Sequence, residues 1–570
     1  MLERESAGGA RSICFVDESG QEKVMRYGEL VQLALTMSAA LVALGARENE
    51  LVLLALPAGA EHASAMLGCV LAGMLPCTVP APGKRFNPQS DESVDAVCRL
   101  YAPKWVVTSD AAREPMAARL AGVRVVGVAE LWQAGTCGAK PRISDKGLFD
   151  AHHVQLTSGS LSLPKAAVLS HQNVHDNARG IAGAVGYDPA RGDATLSWLP
   201  LHHDMGLLTF LSSIHSSGSL TLMQPMSFIR HPLGWLKRIA AMRATTTAGP
   251  TFALRYCVRR FNAAAMQGVD LSCCRNIFIG AERVDERTVR EFADTFAPYG
   301  LRGSALQPCY GMAEATLAVT MHDATRHARP EALDYVIADR LDALASRSGD
   351  DSHDGDDDNR VQPNPSRQQH VVLSVGKPIP GLAYEVRDRA GRLTAERVPG
   401  EIFIRGTSVM MGYLASERVP VPAPFDEGGW LATGDIGYVS RGELFILGRR
   451  KEIIIIRGTN YFPHEIEEVV ADHPAVFKGA CAALGVYDED AGTENLVLLV
   501  EASAANAHGD TRAAIQARLQ TRLGYCAHEV VFVEPGALPR TTSGKLKRRK
   551  ARELHCEGRF AAAATVEHTA

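Results

Sequence analysis

Small hydroxyl-bearing residues and a lysine lie close together in residues 155–174. Thr157-Ser158-Gly159-Ser160 are consecutive, and Pro164-Lys165 precedes an apolar run that begins at Ala166. This pattern predicts a strand, a tight loop and a second strand. The N–H groups and hydroxyls of such a loop, with the lysine, can surround a phosphate. A surface loop with a solvated lysine is an equal alternative, and the G-x-x-x-x-G-K-[ST] spacing of a Walker loop is absent.

Three other positions carry side chains suited to acid–base chemistry or ligand binding. The neighbours His203 and Asp204 are either an acid–base pair or, preferably, a packed polar pair. Asp435 lies in a predicted turn at 433–437, where it can accept hydrogen bonds from a ribose diol or stabilise the turn itself. Glu314, near the start of a predicted helix, can hold Mg²⁺ or complement the helix dipole.

A basic segment at residues 538–552 contains Lys545 directly after a serine and a glycine. The glycine and the neighbouring hydroxyl residues predict a mobile loop around this lysine. The basic run that follows fits a solvated helix better than an RNA site, because it is short and the chain is acidic overall. No G-x-S-x-G elbow, H-E-x-x-H or G-x-G-x-x-G sequence supports a different class of enzyme.

Composition places the chain among globular proteins. Its 570 residues, 46% hydrophobic and 22% charged, are enough for several domains of roughly 100–200 residues each. A net charge of -4 argues against a nucleic-acid partner. The twelve cysteines are scattered and none forms C-x-x-C, so buried free thiols in a reducing cytoplasm are favoured over a zinc knuckle or a redox pair.

One uncharged stretch, residues 63–83, is long enough to raise the question of a membrane span, which needs about 20 apolar residues. Glycines and prolines interrupt it. A buried helix over about 61–72 and a buried strand over about 75–79 are therefore preferred, and no membrane span is expected. The N-terminus lacks the pattern of a secretory signal, which also favours a cytoplasmic location.

Helices and strands alternate along the first part of the chain. Leucines and a methionine at three- and four-residue spacing predict an amphipathic helix from Leu30 to Leu44, ended by Gly45. The apolar run 51–56 is typical of a strand covered on both faces. Further strands are expected at 12–18, 104–108, 123–128, 194–201, 220–223, 244–248 and 276–279. The alternation predicts an α/β fold with largely parallel strands.

The pattern changes near residue 345. Six aspartates between Asp350 and Asp358 indicate a flexible acidic insertion at about 345–370 rather than a cation site, because they lack a fixed ligand spacing. Strands are expected at 401–405, 443–447, 453–456, 496–500 and 530–533, with a helix from Pro463. A domain boundary near Gly448-Arg449 would divide the chain into residues 1–448 and a small α+β unit at 449–570.

Five segments in this order resemble the adenylate-forming (AMP-binding) superfamily of acyl and aryl ligases, over roughly residues 12–552. They are Thr157-Ser158-Gly159-Ser160 with Pro164-Lys165, Leu199-Pro-Leu-His-His-Asp-Met-Gly206, Tyr310-Gly-Met-Ala-Glu314, Thr433-Gly-Asp435 with Gly448-Arg449, and Pro539-Arg-Thr-Thr-Ser-Gly-Lys545. Within the superfamily, residues 197–207, 280–282, 308–317 and 453–458 look most like fatty acyl-AMP ligases. The extra segment before Val371 is similar in position to the insertion of those ligases.

The resemblance implies a large N-terminal domain of layered, mostly parallel sheets with helices, and a small mobile α+β C-terminal domain. It implies that ATP, Mg²⁺ and a fatty acid are used. The carboxylate attacks the α-phosphorus of ATP to give acyl-AMP and pyrophosphate. The acyl group then passes to the phosphopantetheine thiol of an acyl carrier protein, expected on another chain, for lipid or polyketide–nonribosomal peptide biosynthesis.

The resemblance also implies a role for each matching residue. Lys545 would bridge the carboxylate and the α-phosphate, His203 would lie by the carboxylate, Glu314 would hold the metal, and Lys451 would be the hinge. The phosphates would be held by Thr157, Ser158, Gly159, Ser160 and Lys165. The base would be held by Gly280, Ala281, Glu282, Tyr310, Gly311, Met312 and Ala313. The ribose would be held by Asp435 and Arg449. Four apolar residues suit either an alkyl tunnel or the core: Met205, Leu207, Leu208 and Phe210.

Two departures from the family pattern matter. Leu161 and Ser162 replace Thr and Gly in the phosphate loop S-G-S-T-G-x-P-K-G, and Ala166 replaces its last Gly, which predicts weaker ATP binding or slower turnover. Ile455 stands where coenzyme A ligases usually carry a lysine, which favours a carrier protein over free coenzyme A. A coenzyme A ligase of the same fold and a non-catalytic nucleotide-binding scaffold remain as alternatives.

Overall fold

The structure is a computed structural model of the chain. It describes residues 11–82, 88–157, 164–323, 338–341, 370–416, 424–456, 459–471, 473–477, 480–488, 493–507, 509–540 and 546–560. The predictions for Ser158, Gly159, Ser160, Leu161, Ser162, Lys545 and the acidic cluster at 350–358 lie outside these residues.

Within this part of the chain, one sheet has seven strands and is parallel except for one edge strand, which pairs antiparallel with its neighbour. Its spatial order is Leu306–Pro308, Asn276–Ile279, Thr246–Gly249, Ala194–Ser197, Ser219–Met223, Ser12–Val16 and Glu22–Arg26. Sites in parallel sheets form at the carboxyl ends of the strands. Residues that follow Ile279 and Pro308 therefore start at a position suited to binding.

A second sheet, also seven-stranded over the described residues, is parallel at its centre and antiparallel at one edge. In spatial order it comprises Gly412–Tyr413, Lys165–Ser170, Ala151–Thr157, Leu75–Thr78, Leu51–Ala55, Trp105–Thr108 and Arg124–Gly127. The strands on either side of the predicted phosphate loop pair directly, with Thr157 opposite Lys165. This confirms the strand–loop–strand prediction for its two flanking segments.

Helices pack between and around the two sheets. Buried residues of both sheets, among them Ile13 and Val52, share one core with helices that include Met37 and Phe210. The helices are Tyr27–Ala43, Ala60–Leu71, Pro88–Tyr101, Asp110–Arg119, Val128–Thr136, His171–Ala184, Asp204–His215, Pro225–Arg230, Pro232–Met242, Thr251–Arg259, Glu286–Phe296, Pro463–Ala471, Gly509–Leu523 and Arg548–Cys556. This layered α/β architecture confirms the predicted fold class.

The uncharged stretch at 63–83 forms the helix Ala60–Leu71 and the strand Leu75–Thr78, close to the predicted bounds. Apart from the ends of the helix, both elements are almost entirely buried inside the protein. Nowhere in the described ranges is there a helix with the length and hydropathy needed to cross a bilayer.

A four-stranded antiparallel sheet follows, made of Leu382–Arg387, Gly400–Gly406, Leu431–Ser440 and Glu443–Arg449. The predicted turn at 433–437 is wrong, because these residues lie inside the strand Leu431–Ser440. Gly434 has φ +75° and the register shifts between Ile436 and Gly437. The glycines therefore produce a bulge in a continuous strand rather than a chain reversal.

The shorter strands of the described chain complete the structure. They are Tyr310–Gly311, Ala318–Met321 and Lys377–Pro378 in one sheet, Ala338–Leu341 with His370–Leu373, and Ile454–Ile456 with Thr459–Tyr461. The C-terminal part adds a sheet of Cys481–Asp488, Thr493–Glu501 and Glu529–Val533, whose two faces carry separate apolar clusters. A buried core of its own is what a folded α+β unit after residue 449 requires.

Candidate active site

Asp435 and Arg449 lie directly opposite each other on the paired strands Leu431–Ser440 and Glu443–Arg449. The Arg449 Nε is 3.3 Å from Oδ1 of Asp435, and the Tyr310 hydroxyl donates to Oδ2 at 2.5 Å. The Asp435 side chain is buried, so this carboxylate sits between two fixed donors. The sequence placed these three residues in separate segments, and the fold brings them together.

Burial and the neighbouring charges keep Tyr310 and Arg449 in their ordinary protonation states. Burial, reinforced by Asp435, raises the pKa of Tyr310 well above its usual value, so the phenol stays neutral. Desolvation acts to lower the pKa of Arg449, but the Asp435 carboxylate holds it above the ordinary value. The result is an anionic acceptor with directed partners, an arrangement that can bind a diol through charge-assisted hydrogen bonds.

Glu314 lies in the short 3₁₀ turn Ala313–Ala315, which leads into the strand Ala318–Met321. The prediction that it begins an α-helix is wrong. Gly311 explains the tight geometry, because a Cβ there would lie 2.1 Å from the Leu317 carbonyl oxygen. The Met312 N–H donates to that same carbonyl at 2.8 Å, so the chain reverses within a few residues.

The Glu314 carboxylate accepts a hydrogen bond of 2.9 Å from the Tyr413 hydroxyl. Burial raises the pKa of Glu314, and the nearby Asp204 adds to the rise, whereas the Tyr413 hydrogen bond and Arg449 lower it. The ring of Tyr413 also lies under the Lys165 ammonium, 4.6 Å from the ring centroid. Tyr413 therefore contacts both Lys165, which follows the predicted phosphate loop, and Glu314.

Tyr413 was missed by the sequence predictions. It lies on the strand Gly412–Tyr413, which pairs with Ala167 and Val168 just after Lys165. It is 99 residues from Glu314 along the chain. Tyrosine is common in strands, and nothing in its local sequence marks it as part of a site.

Thr157, the last residue before the undescribed part of the phosphate loop, is buried. Its Oγ1 has no hydrogen-bond partner among the described residues. A buried hydroxyl without a partner costs about 1–3 kcal/mol. An incoming phosphate oxygen would satisfy this group, which fits the phosphate-binding prediction for the loop.

Gly280, Ala281 and Glu282 follow the strand Asn276–Ile279. Ala281 has φ +66°, an uncommon left-handed conformation for a residue with a side chain. The Glu282 side chain is directed towards the helix Thr251–Arg259. Its Oε1 accepts a hydrogen bond of 2.7 Å from the Phe252 N–H in the first turn of that helix. Gly280 packs against Cys309, and a Cβ on it would lie 3.0 Å from that sulfur.

A cavity of about 210 Å³ collects most of the described site residues along its wall. Tyr310, Met312, Glu314 and Arg449 line it on the polar side, and His203 lies among them. Five further predicted or neighbouring residues also line it: Thr157, Ala281, Gly311, Ala313 and Thr433. Because the family resemblance leads us to expect a nucleotide here, we call this polar part the nucleotide end.

His203 and Asp204 lie next to each other at the start of one helix, and each also contacts another neighbour. His203 immediately precedes the helix Asp204–His215, and its ring lies 4.6 Å from that of His202 between centroids. The Asp204 Oδ1 accepts the Met205 N–H at 2.7 Å. Both residues border the cavity.

The other part of the cavity lies between the helices His171–Ala184 and Asp204–His215. Because the family resemblance leads us to expect the acid here, we call it the acyl end. Met205 and Leu208 line it, whereas Leu207 and Phe210 are fully buried in the protein core. All four apolar residues that suited either a tunnel or the core are buried core residues, and two of them, Met205 and Leu208, also line the cavity.

A wider cleft lies beside the nucleotide end, with residues of the C-terminal part on its other side. Asp435, Arg449 and Glu282 border it, as do Lys451 and Lys547. Arg283 and Glu468 form an ion pair across it. Three of the described predicted residues that do not line the smaller cavity border this cleft instead: Glu282, Asp435 and Lys451.

The comparison with protein-family models gives two matches. The AMP-binding enzyme family matches residues 2–414, and the AMP domain of Disco-interacting protein 2-like proteins matches residues 451–565.

Curated relatives cover nearly the whole chain. A long-chain-fatty-acid–AMP ligase of Mycobacterium tuberculosis is 32% identical over 523 residues, covering 86% of this chain and 85% of the relative. A 4-hydroxyphenylalkanoate adenylyltransferase of Mycobacterium tuberculosis is 29% identical over 576 residues, covering 95% and 88%.

Solved structures agree. A structure from work on fatty acyl-adenylate ligases of E. coli and L. pneumophila has a TM-score of 0.85 at 28% identity, covering 98% of this chain and 97% of the other. The fatty acyl-adenylate ligase from L. pneumophila in complex with acyl adenylate and pyrophosphate has a TM-score of 0.70 at 27% identity, covering 98% and 95%. The chain therefore belongs to the AMP-binding enzymes, the adenylate-forming superfamily, and within it resembles the fatty acyl-AMP ligases.

Proposed function

We propose that this chain is a fatty acyl-AMP ligase, which uses ATP to convert a fatty acid into acyl-AMP with release of pyrophosphate. The observation that carries the proposal is the division of one cavity into a charged nucleotide end and an uncharged acyl end. A fatty acid is divided in the same way, into one charged carboxylate that reacts and a long uncharged hydrocarbon chain. His203, at the meeting point, lies beside the carboxylate.

The nucleotide end would bind ATP through groups already held in place. Asp435 and Arg449 hold the ribose, and the ring of Tyr310 packs against the adenine in a pocket bordered by Gly280, Ala281 and Glu282. Gly311, Met312 and Ala313 form the adjoining wall. Groups fixed by the fold before the ligand arrives lose little entropy on binding, which favours affinity.

The phosphates would lie against the loop that begins at Thr157. The unpartnered Thr157 hydroxyl and the ammonium of Lys165 support this placement, and Ser158, Gly159 and Ser160 extend it. Lys545 then contributes positive charge between the carboxylate and the α-phosphate. Two anions must approach each other in this reaction, so a fixed cation offsets their repulsion as the new bond forms.

Glu314 is the residue that would hold Mg²⁺. The fit rests on its chemistry, because a half-buried carboxylate beside a phosphate site supplies the oxygen ligand that Mg²⁺ prefers. The metal would neutralise phosphate charge when bound. The Tyr413 hydroxyl fixes the orientation of the carboxylate and favours its ionised form.

The second half-reaction would transfer the acyl group to the phosphopantetheine thiol of a carrier protein on another chain, in lipid, polyketide or nonribosomal peptide biosynthesis in the cytoplasm. The wide cleft beside the nucleotide end is an entry route for that arm. Residues 449–570 would rotate about Lys451 between the two half-reactions. Ile455 replaces the lysine of coenzyme A ligases, which favours the carrier protein over free coenzyme A.

Lys545→Ala tests the first half-reaction. We expect adenylate formation to fall by about 10²–10³ or more, while ATP binding measured by calorimetry stays largely intact. Lys547→Ala is the matched control, because Lys547 is an exposed lysine two residues away. Pyrophosphate release by Lys545→Ala at the wild-type rate would contradict the proposed role.

Product analysis tests the second half-reaction. The enzyme is given acid, ATP and either free coenzyme A or a holo-carrier protein, and the thioester products are compared by mass spectrometry. We expect acyl-carrier protein to form in preference. Efficient formation of acyl-coenzyme A would assign the chain to the coenzyme A ligases of the same fold instead.

A further inference from the structure

The acyl end of the cavity extends from His203 to Tyr187, both of which line it. The helix Asp204–His215 begins directly after His203, and at about 1.5 Å per residue its 12 residues span roughly 18 Å. Met205 near the beginning of this helix and Ser213 near its end both line the cavity. The cavity therefore follows the helix away from the position expected for the substrate carboxylate.

Tyr187 lies at the far end of that helix. The Gly218 N–H donates to the Ser213 carbonyl at 2.9 Å, so Gly218 packs on the last turn of the helix. A Cβ on Gly218 would lie 2.1 Å from the Tyr187 hydroxyl oxygen. The phenol of Tyr187 therefore lies directly against Gly218, and the lack of a side chain at residue 218 makes room for it.

The parallel sheet gives the same position for Tyr187 independently. Residues that follow the carboxyl ends of its strands line the nucleotide end of the cavity. Thr195, near the beginning of the strand Ala194–Ser197, donates to the Tyr187 hydroxyl at 3.5 Å. Gly218 directly precedes the neighbouring strand Ser219–Met223. The Tyr187 hydroxyl thus lies at the amino ends of two adjacent strands, at the edge of the sheet opposite the nucleotide end.

Contacts at both ends of Tyr187 hold it in place. Its hydroxyl donates to the Asp193 carbonyl at 3.1 Å. Its backbone N–H donates to the Ala182 carbonyl at 2.9 Å, close to the end of the helix His171–Ala184. Burial raises the pKa of Tyr187, so the phenol stays neutral. A neutral ring that is anchored through its backbone and its hydroxyl is a fixed part of the cavity wall.

The walls between the two ends of the cavity suit a hydrocarbon chain. The helix His171–Ala184 contributes Ala178, Ile181 and Ala182 to the lining, and all three are apolar. Among the described residues that line the cavity, the charged ones belong to the nucleotide end. Each methylene that such walls remove from water should improve binding about two- to fourfold.

We infer that Tyr187 sets the maximum length of the acyl chain, because its ring closes the cavity at the end opposite the carboxylate. The inference rests on the proposed adenylation and specifies the acid that undergoes it, one whose uncharged hydrocarbon tail ends at Tyr187. A longer tail would meet a ring whose anchors prevent it from turning aside. Tyr187 is thus a specificity-determining residue rather than a catalytic one, because it lies about one helix length from the carboxylate.

The experiment measures kcat/KM for adenylate formation with saturated straight-chain acids of increasing length. For the wild type we expect a rise of about two- to fourfold for each added carbon until the tail reaches Tyr187, and a fall beyond that length. In Tyr187→Ala the fall moves to a longer acid, and acids too long for the wild type gain about tenfold or more. Acids too short to reach the ring keep their wild-type values, which also shows that the variant is folded.

Tyr187→Phe is the matched control, because it keeps the ring and its packing against Gly218 and removes only the hydroxyl. We expect its fall at the wild-type length. Tyr187→Leu is a second, less disruptive variant, with its fall expected between those of the wild type and Tyr187→Ala.

A fall that stays at the wild-type length in Tyr187→Ala or Tyr187→Leu would overturn the inference. A Tyr187→Phe variant that shifts as far as Tyr187→Ala would also overturn it, because the ring would then not be the limit. Failure of every acid to give adenylate would contradict the proposed function instead.

Discussion

The two ends of the cavity are built in different ways. At the nucleotide end, buried or half-buried charged groups are held by mutual contacts, as in the hydrogen bond from Tyr310 to Asp435 and that from Tyr413 to Glu314. At the acyl end, the wall consists of neutral side chains along two helices.

This difference indicates that recognition of the nucleotide is fixed, whereas recognition of the acid can be adjusted. A ribose and three phosphates present the same groups in every reaction, so the nucleotide end can be preorganised around them. Acids differ from one another in length and polarity, and single changes along a helix stripe adjust the wall without disturbing the fixed end. Substitutions at the nucleotide end should therefore lower kcat/KM for ATP. Substitutions at the acyl end should change the relative kcat/KM values of different acids.

The largest expected effect is at the nucleotide end, in Asp435→Asn. The change removes the anionic acceptor of Tyr310 and Arg449 and costs about 2–3 kcal/mol, or roughly 30- to 150-fold in kcat/KM for ATP. The relative preference among acids should not change. Steady-state kinetics with varied ATP and with two acids checks both statements, and an unchanged kcat/KM for ATP would contradict the assignment of Asp435 to the nucleotide end.

A smaller effect is expected at the acyl end, in Ala182→Phe. The ring would fill the cavity, so kcat/KM for long acids should fall about tenfold or more while short acids and ATP binding are spared. Gly183→Phe is the control, because residue 183 is adjacent, exposed and free of close neighbours at the Cβ position. Equal losses for short and long acids would argue against an acyl end at this place.

The smallest effect is a shift in pH dependence, in Tyr413→Phe. Burial raises the pKa of Glu314 and the Tyr413 hydrogen bond lowers it, so loss of the hydroxyl raises this pKa further. If Glu314 must be ionised to hold Mg²⁺, activity disappears at a higher pH on the acid side than in the wild type. The ring that contacts Lys165 is retained.

The pH profile of kcat/KM at saturating Mg²⁺ measures this shift. Tyr384→Phe serves as the control, because Tyr384 is another half-buried tyrosine and lies beside Glu443 instead. Profiles of wild type and Tyr413→Phe that coincide on the acid side would exclude Glu314 as the titrating group.

Most of the residues that line the nucleotide end were singled out in the sequence, and few of those at the acyl end were. Asp435 and Glu314 each belong to a short motif of consecutive residues. Such a motif can be recognised from the sequence alone. Tyr413 enters the site only through strand pairing with the segment after Lys165. Tyr187 belongs to the acyl end only because the fold places it against Thr195 and Gly218.

Local structure was mispredicted where glycine was ambiguous. Gly434 suggested a turn at 433–437, and its positive φ is real, but the strand continues on both sides because Asp435 and Ile436 remain paired with Arg449 and Gly448. The helix expected at Glu314 fails for a related reason. Thr316 adopts φ +69° and its hydroxyl donates to the Ser408 carbonyl at 2.7 Å, so the chain turns after Ala315 and continues as a strand.

The most direct test of the account is whether the enzyme forms a bound acyl-adenylate without any thiol acceptor. Wild-type protein is incubated with ATP, Mg²⁺ and a panel of fatty acids of different lengths, and the protein-bound fraction is analysed by mass spectrometry together with pyrophosphate release. We predict a stoichiometric acyl-adenylate and one pyrophosphate for each adenylate with at least one acid of the panel. Binding of ATP without adenylate or pyrophosphate from any acid would contradict the account and favour a non-catalytic nucleotide-binding scaffold.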